Sequence, residues 1–194
     1  MTKKEEIPLF HDYHINVSTR TIYMGSIWDW DTEEAGTDFR MSEKAIKNLL
    51  MLDSSEEAPI NIILNTPGGD VTQGYAIYDA ISTCHNWVNI IGIGQVMSMG
   101  SIIFQAGDSR TLMPNSTMLL HYGQLFLDGH PKDVENWVKA SQLEKEKTEL
   151  LYLNRIRQVK PKISKAALKQ KMQNDWILTP QEAVEWGLAD KIHE

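Results

Sequence analysis

Ser98 stands between Gly94 and Gly100, where the β-type run Val88-Asn89-Ile90-Ile91-Gly92-Ile93 gives way to an apolar helical stretch reaching Ala106. A serine on a sharp strand-to-helix turn projects its hydroxyl from the bend while the N–H groups that follow point the same way, as in a nucleophile elbow. The match is partial, because the hydrolase elbow has Gly two residues before the serine and this chain has Val96. A serine capping a helix fits the same local pattern. A neighbouring strand closes in the turn Thr66-Pro67-Gly68-Gly69-Asp70. Without Cβ atoms, Gly68 and Gly69 let backbone N–H groups approach a ligand closely. Such amides would complete an oxyanion hole, or simply make a tight turn.

A nucleophilic serine needs a base, and the base needs an orienting carboxylate. His121, 23 residues after Ser98, ends the strand Met118-Leu119-Leu120, whereas His85, His130 and His193 stand in polar, solvent-facing contexts. His121 is therefore the candidate base. Asp175 precedes the strand Trp176-Ile177-Leu178 and is a candidate carboxylate, with Asp70 and Asp128 as rivals. Spacing does not separate the three.

Other chemistries lack their residues. Gly92-Ile93-Gly94 begins like a dinucleotide fingerprint, but Met97 stands where the third Gly belongs, and no Walker lysine pattern occurs. His11 and His14 are three residues apart in a segment without helical period and have no third ligand nearby, so no metal is expected. No cofactor is expected either. Nineteen Lys and Arg against 26 Asp and Glu give a net charge of −7, which repels phosphate backbones and argues against nucleic acid as a partner. The single Cys84 cannot form an internal bridge and reads as a small buried hydrophobe. No apolar run has the length of a signal peptide or a membrane span, so a cytoplasmic protein is expected. The sequons at Asn16 and Asn115 then carry no chemistry.

The elements that must position these groups alternate. The first 20 residues show no clear period, and Ile22-Tyr23-Met24-Gly25 reads as a short strand closed by a turn. Met41 to Leu52 puts Ala45, Ile46, Leu49 and Leu50 on one helical face, with Ser42 as an available N-cap. The strand Ile60–Asn65, a helix from Val71 to Thr83 through Tyr75, Ala76 and Ala80, and the strand from Val88 form a βαβ unit. Such alternation implies a parallel sheet flanked by helices, with ligands at the carboxyl ends of the strands. Lys132 to Val159 is a helical segment without Pro or Gly, too long for so small a core to cover. Thr179-Pro180-Gln181-Glu182 is a capping box with Pro at the first helical position, and Gly187 stops that helix. At 194 residues, with no internal repeat or linker, the chain reads as one domain, residues 1–194.

Four motifs stand in order: Asn65-Thr66-Pro67-Gly68-Gly69, Gly94-Gln95-Val96-Met97-Ser98-Met99-Gly100, Pro114-Asn115-Ser116 leading to His121, and Glu182-Ala183-Val184-Glu185-Trp186-Gly187-Leu188-Ala189-Asp190. Together they resemble the proteolytic subunits of the Clp protease, the ClpP family. The resemblance implies a crotonase-like α/β fold of repeated ββα units and a serine endopeptidase with chain order Ser, His, Asp. By motif, Ser98 would be the nucleophile, His121 the general base and Asp175 its orienter. The backbone N–H groups of Gly69 and Met99 would form the oxyanion hole. The family further implies an N-terminal segment of about residues 1–20 and a handle of about residues 122–159, through which two seven-membered rings stack into a chamber. Unfolded polypeptides would enter that chamber with the help of an ATP-driven AAA+ unfoldase.

The chain departs from the family pattern at several positions. Tyr122-Gly123 replaces the usual Gln-Pro after the histidine, the stretch from Gly123 to Asp133 is poorer in Gly than the usual handle strand, and Asn174 stands where Arg usually precedes the aspartate. Asn61 and Thr111 are polar where the family usually has aromatics in the surface pockets that receive unfoldase loops. Two other readings share parts of this pattern. A crotonase-fold enzyme acting on acyl-coenzyme A has the fold and the oxyanion hole but no use for Ser98, His121 and Asp175 together. A non-catalytic ring or scaffold subunit would be missing one of the three.

Overall fold

A computed structural model of the chain describes residues 2–25 and 36–194. The turn expected after Gly25 lies outside the described residues. Helix α1 (Lys3–Tyr13) leads into β1 (Ile15–Asn16) and β2 (Thr21–Gly25), and α2 (Phe39–Ser55), β3 (Ile60–Thr66), α3 (Val71–Ser82) and β4 (Val88–Met97) follow. Then come α4 (Met99–Phe104), β5 (Ser109–Leu112), β6 (Thr117–Leu120) and the long α5 (Pro131–Val159). The described chain closes with α6 (Lys165–Met172), β7 (Trp176–Leu178), α7 (Pro180–Glu185) and β8 (Lys191–Ile192).

The architecture is mixed α/β. Strands β2, β3 and β4 pair in parallel through the crossover helices α2 and α3, and β1 joins the edge antiparallel. Along β3 the burial alternates, with Ile60, Ile62, Leu64 and Thr66 inward, as a period of two requires. Strand β4 then serves two partners. Its first half, Asn89–Gly92, pairs with β5, and its second half, Gln95–Met97, pairs with β6. By its apolar pattern this strand ends at Ile93, before Gly94 and Gln95. The structure carries it on to Met97, so that Ser98 sits directly at its carboxyl end.

Helix α2 is capped by Asp38, whose side chain accepts from the Met41 N–H at 2.8 Å. The expected cap, Ser42, lies inside the helix and is buried. The inward face is Met41, Ala45, Asn48, Leu49 and Leu52, whereas Leu50 is exposed. Segment 3–13, read as aperiodic, is helical, with a capping box formed by Thr2 and Glu5 and a left-handed C-cap at His14. Its capping box lies within the first six residues, and Pro8 interrupts its pattern further on. On the sheet, Asn61 accepts from Asn89 at 3.1 Å and donates to the Thr19 carbonyl at 3.4 Å. Thr111 is buried and presents little surface for any loop to meet.

The end of α2 is clasped to the start of β4 by Asp53, which accepts from the backbone N–H groups of His85 at 3.0 Å and Asn86 at 2.9 Å. Burial pushes this carboxyl up, but the N–H donors of Asn86 and His85 and their side chains outweigh it and hold its pKa at about 2. A lowered folded-state pKa stabilises above the unfolded value and stops doing so as pH falls through the folded one. Asp53→Ala is therefore expected to cost about 1–2 kcal/mol at neutral pH. In urea unfolding, the gap to wild type should close as pH drops from about 4 to about 2. A gap that persists unchanged at the acid end would refute the clasp.

Helix α5 is covered only near its end, where Glu149, Tyr152, Leu153 and Ile156 are buried and the Tyr152 hydroxyl meets Ser101 Oγ at 2.6 Å. Further toward its start Trp137 is 64% and Leu143 62% exposed. This is the excess apolar surface expected of a helix longer than its core. No helix among the described residues is long and apolar enough to cross a membrane.

Candidate active site

Ser98 joins β4 to α4 with φ 50° and ψ −122°, a backbone state that a residue with a Cβ rarely adopts. Bonds on both sides hold it there. Its N–H donates to the Leu119 carbonyl on β6 at 2.9 Å, and its carbonyl accepts from the Ser101 N–H at 2.9 Å and from Ser101 Oγ at 2.7 Å. The six residues of α4 are all buried, so the strained turn rests on a helix sunk in the core. The side chain is thereby aimed outward, and Ser98 Oγ lies 2.8 Å from His121 Nε2.

The pairing of β6 with β7 explains which carboxylate reaches His121. These strands run antiparallel with Met118 opposite Leu178, Leu119 opposite Ile177 and Leu120 opposite Trp176. One further step sets His121 against Asp175, and His121 Nδ1 lies 3.1 Å from Asp175 Oδ1. The rivals are elsewhere engaged or exposed. Asp70 caps α3 by accepting from the Gln73 N–H at 2.8 Å, and Asp128 is exposed in the segment between β6 and α5. A proton on Nδ1 is donated to Asp175, which leaves Nε2 as an acceptor facing the Ser98 hydroxyl.

The turn after β3 lies against the start of α4. Gly68 has φ 104°, and a Cβ built on it would fall 2.5 Å from Ser98 Cβ and 3.0 Å from the Met99 nitrogen. Gly69 has φ 146°, and a Cβ there would fall 2.5 Å from the Thr37 carbonyl oxygen. The flanking amides are occupied: Gly68 N–H donates to Thr66 Oγ1 at 3.2 Å and Asp70 N–H to the Thr37 carbonyl at 2.8 Å. Among the described residues the Gly69 and Met99 N–H groups have no protein acceptor, the latter because it opens a helix. A cleft of about 400 Å³ opens over these groups between Gly69, Ser98, His121 and Tyr122, with Val71 and Ile102 in its apolar wall.

Ser98, His121 and Asp175 thus border one site together with the Gly69 and Met99 amides that the resemblance implies, whereas Asp70 and Asp128 do not join it. Thr37 was missed. Its backbone accepts from Asp70 and donates to Gly68, and its side chain meets Thr66 Oγ1 at 3.2 Å. A single bridge to a turn about thirty residues away leaves no local pattern in the sequence. Tyr122, read only as a departure from the family pattern, forms one wall of the cleft.

The other candidates stay apart. Cys84 follows the end of α3, and burial pushes its thiol up to about 11, so it stays protonated and inert at neutral pH. His11 and His14 lie on and just past a helix rather than in an aperiodic segment, and among the described residues no three His, Cys, Asp or Glu side chains gather as a metal site requires.

Comparison with known proteins identifies relatives of the chain. The Clp protease family model matches residues 33–194. The chain is 33% identical over 156 residues to an ATP-dependent Clp protease proteolytic subunit of Deinococcus radiodurans, a match covering 79% of this chain and 74% of the relative. It is 32% identical over 159 residues to ATP-dependent Clp protease proteolytic subunit 2 of Pseudomonas aeruginosa, covering 81% and 77%. A mutant of ClpP1 from Listeria monocytogenes superposes with a TM-score of 0.75 at 24% identity, over 96% of both chains, and so shares the fold. On the span of the family model and the identity to these relatives, the chain belongs to the Clp protease family.

Proposed function

We propose that the chain is a serine endopeptidase that cuts unfolded polypeptides through an acyl-enzyme, with Ser98 as nucleophile, His121 as general base and Asp175 as its orienter. The observation that carries this reading is the line of hydrogen bonds from Ser98 Oγ to His121 Nε2 at 2.8 Å and from His121 Nδ1 to Asp175 Oδ1 at 3.1 Å. As Ser98 Oγ attacks the scissile carbonyl, His121 Nε2 takes its proton and Asp175 stabilises the imidazolium. The carbonyl oxygen, gaining charge, accepts from the Gly69 and Met99 N–H groups, which have no protein acceptor among the described residues. His121 then protonates the leaving amine, and water releases the acyl group by the same route in reverse. None of these steps calls for a metal or an organic cofactor.

The relatives' role as proteolytic subunits supports the same reading. So does the apolar surface left open on α5 around Trp137 and Leu143, which suits burial against further copies of the chain. In this proposal residues 1–194 form one peptidase unit with an N-terminal segment of about residues 1–20. About residues 122–159 serve as the handle of two stacked seven-membered rings, which work in the cytoplasm with an ATP-driven AAA+ unfoldase.

A fluorophosphonate probe tests the chemistry directly. The expected adduct is on the Ser98 peptide by mass spectrometry, and a saturating short peptide substrate should slow its formation. The untreated protein should cleave that peptide unaided and leave a folded protein intact. Labelling that spares Ser98 would refute the assignment.

A further inference from the structure

Beyond Leu120 the chain leaves the sheet, and it regains regular structure only at Pro131. His121 is the first residue of that irregular stretch, so its ring is held from one side by β6 and from the other by whatever fixes the residues that follow. Among the described residues a single hydrogen bond ties residues 122–129 to the rest of the protein: Tyr122 donates its hydroxyl to Glu149 Oε1 at 2.9 Å.

The acceptor is unusual. Glu149 is only 2% exposed and lies on the covered part of α5. Its Oε2 lies 3.0 Å from Lys165 Nζ, and its Oε1 3.5 Å from Lys169 Nζ, both lysines on α6. Burial pushes the Glu149 carboxyl up, but the Lys165 and Tyr122 hydrogen bonds and the charges of both lysines outweigh it and keep it ionised. A buried carboxylate held by two helices is a rigid acceptor, and a hydrogen bond to a charged group is stronger than one between neutral groups. The Tyr122 ring is also one wall of the cleft over Ser98 and of a second cavity beside Glu149, Lys169 and Gln173. Burial and this same bond push the phenol's pKa up, so Tyr122 stays protonated and a donor at neutral pH.

We propose that Tyr122 is a positioning residue for His121, fixed by its hydrogen bond to the buried Glu149, and that Glu149 with Lys165 and Lys169 forms the anchor of the strand end carrying the base. The proposal rests on the reading of Ser98, His121 and Asp175 given above. A reaction centre tolerates little displacement, since a misplacement of about 1 Å can cost a hundredfold in rate. The anchor therefore acts on turnover rather than on substrate affinity.

Tyr122→Phe tests this most cleanly, because it removes one hydroxyl and keeps the ring against the cleft. On a short fluorogenic peptide, kcat is expected to fall about tenfold or more, with KM changed less than about twofold. The rate of Ser98 labelling by the fluorophosphonate should fall in parallel, while oligomeric state and thermal midpoint stay close to wild type. Glu149→Ala should give a similar loss of kcat, and the double variant no more than the larger single loss, because both break one contact. Should Glu149→Ala fail to fold, Tyr122→Phe decides alone. A Tyr122→Phe protein with wild-type kcat overturns the proposal and leaves the peptidase reading standing. Absence of labelling at Ser98 in the wild-type protein removes the reading itself, and this proposal with it.

Discussion

Ser98→Ala is expected to lower the hydrolysis of a short peptide by about 10⁴-fold or more while leaving the fold intact. The loss follows from the chemistry, because without Oγ no covalent acyl-enzyme forms and His121 Nε2 has nothing to deprotonate. The Oγ faces a cleft and its removal opens no void in the core, and the bonds that hold the turn, to Leu119 and Ser101, are made by the Ser98 backbone. His121→Ala should cost a comparable factor, and the double variant little more than either single change, since the two groups act as one device. Ser98→Gly separates strain from function. At φ 50° and ψ −122° glycine is at ease where alanine is not, so the Gly variant should be as inactive as Ala but unfold at a higher temperature. Peptidase activity above a few per cent of wild type in purified Ser98→Ala would sink the nucleophile assignment.

How much of this was legible beforehand depended on whether the information was local. The turns at Ser98 and at Gly68-Gly69 were marked by their glycines and the strands before them, but the same patterns fitted a helix cap and an ordinary tight turn, and only the family resemblance implied a nucleophile. The capping box at Thr179 and Glu182 and the helix through Val159 were plain, being patterns a few residues long. What failed was of two kinds. Where the apolar period alone set a boundary, the boundary was misplaced: Asp38, as good a cap as Ser42, caps α2, because the helix starts earlier than its apolar period suggests. Where a feature is made by strands distant in sequence, nothing local marked it. The fork of β4 between β5 and β6 shows no trace in residues 88–97, and neither do the bridge from Thr37 to the Gly68-Gly69 turn or the tie from Tyr122 to Glu149.

The choice among Asp70, Asp128 and Asp175 belongs to that second kind. Spacing left it open, and the resemblance to ClpP proteins favoured Asp175. The antiparallel register of β6 and β7 supplies a physical reason for a hydrogen bond between His121 and Asp175.

That register makes a separate prediction for the carboxylate. Asp175→Asn is expected to lower kcat by about 10²- to 10⁴-fold, and by more than Asp175→Ala. The asparagine amide can donate to His121 Nδ1, which shifts the imidazole proton to Nε2 and turns the nitrogen facing Ser98 from an acceptor into a donor. Alanine removes the orienting charge but imposes no wrong tautomer, and with Asp175 61% and His121 29% exposed on their side chains, water can enter and solvate Nδ1. The same exposure places the expected loss below that of a fully buried carboxylate. Asp70→Asn should change little, because asparagine caps a helix about as well as aspartate and Asp70 caps α3 through the Gln73 N–H. Asp128→Asn, in an exposed segment, should change less still. The measurement is kcat on one short peptide for all four variants at a fixed neutral pH, with thermal midpoints to confirm folding. A larger loss from Asp70→Asn than from Asp175→Asn would overturn the assignment of the orienting carboxylate. An Asp175→Ala protein slower than Asp175→Asn would show instead that charge, not tautomer, is what Asp175 supplies.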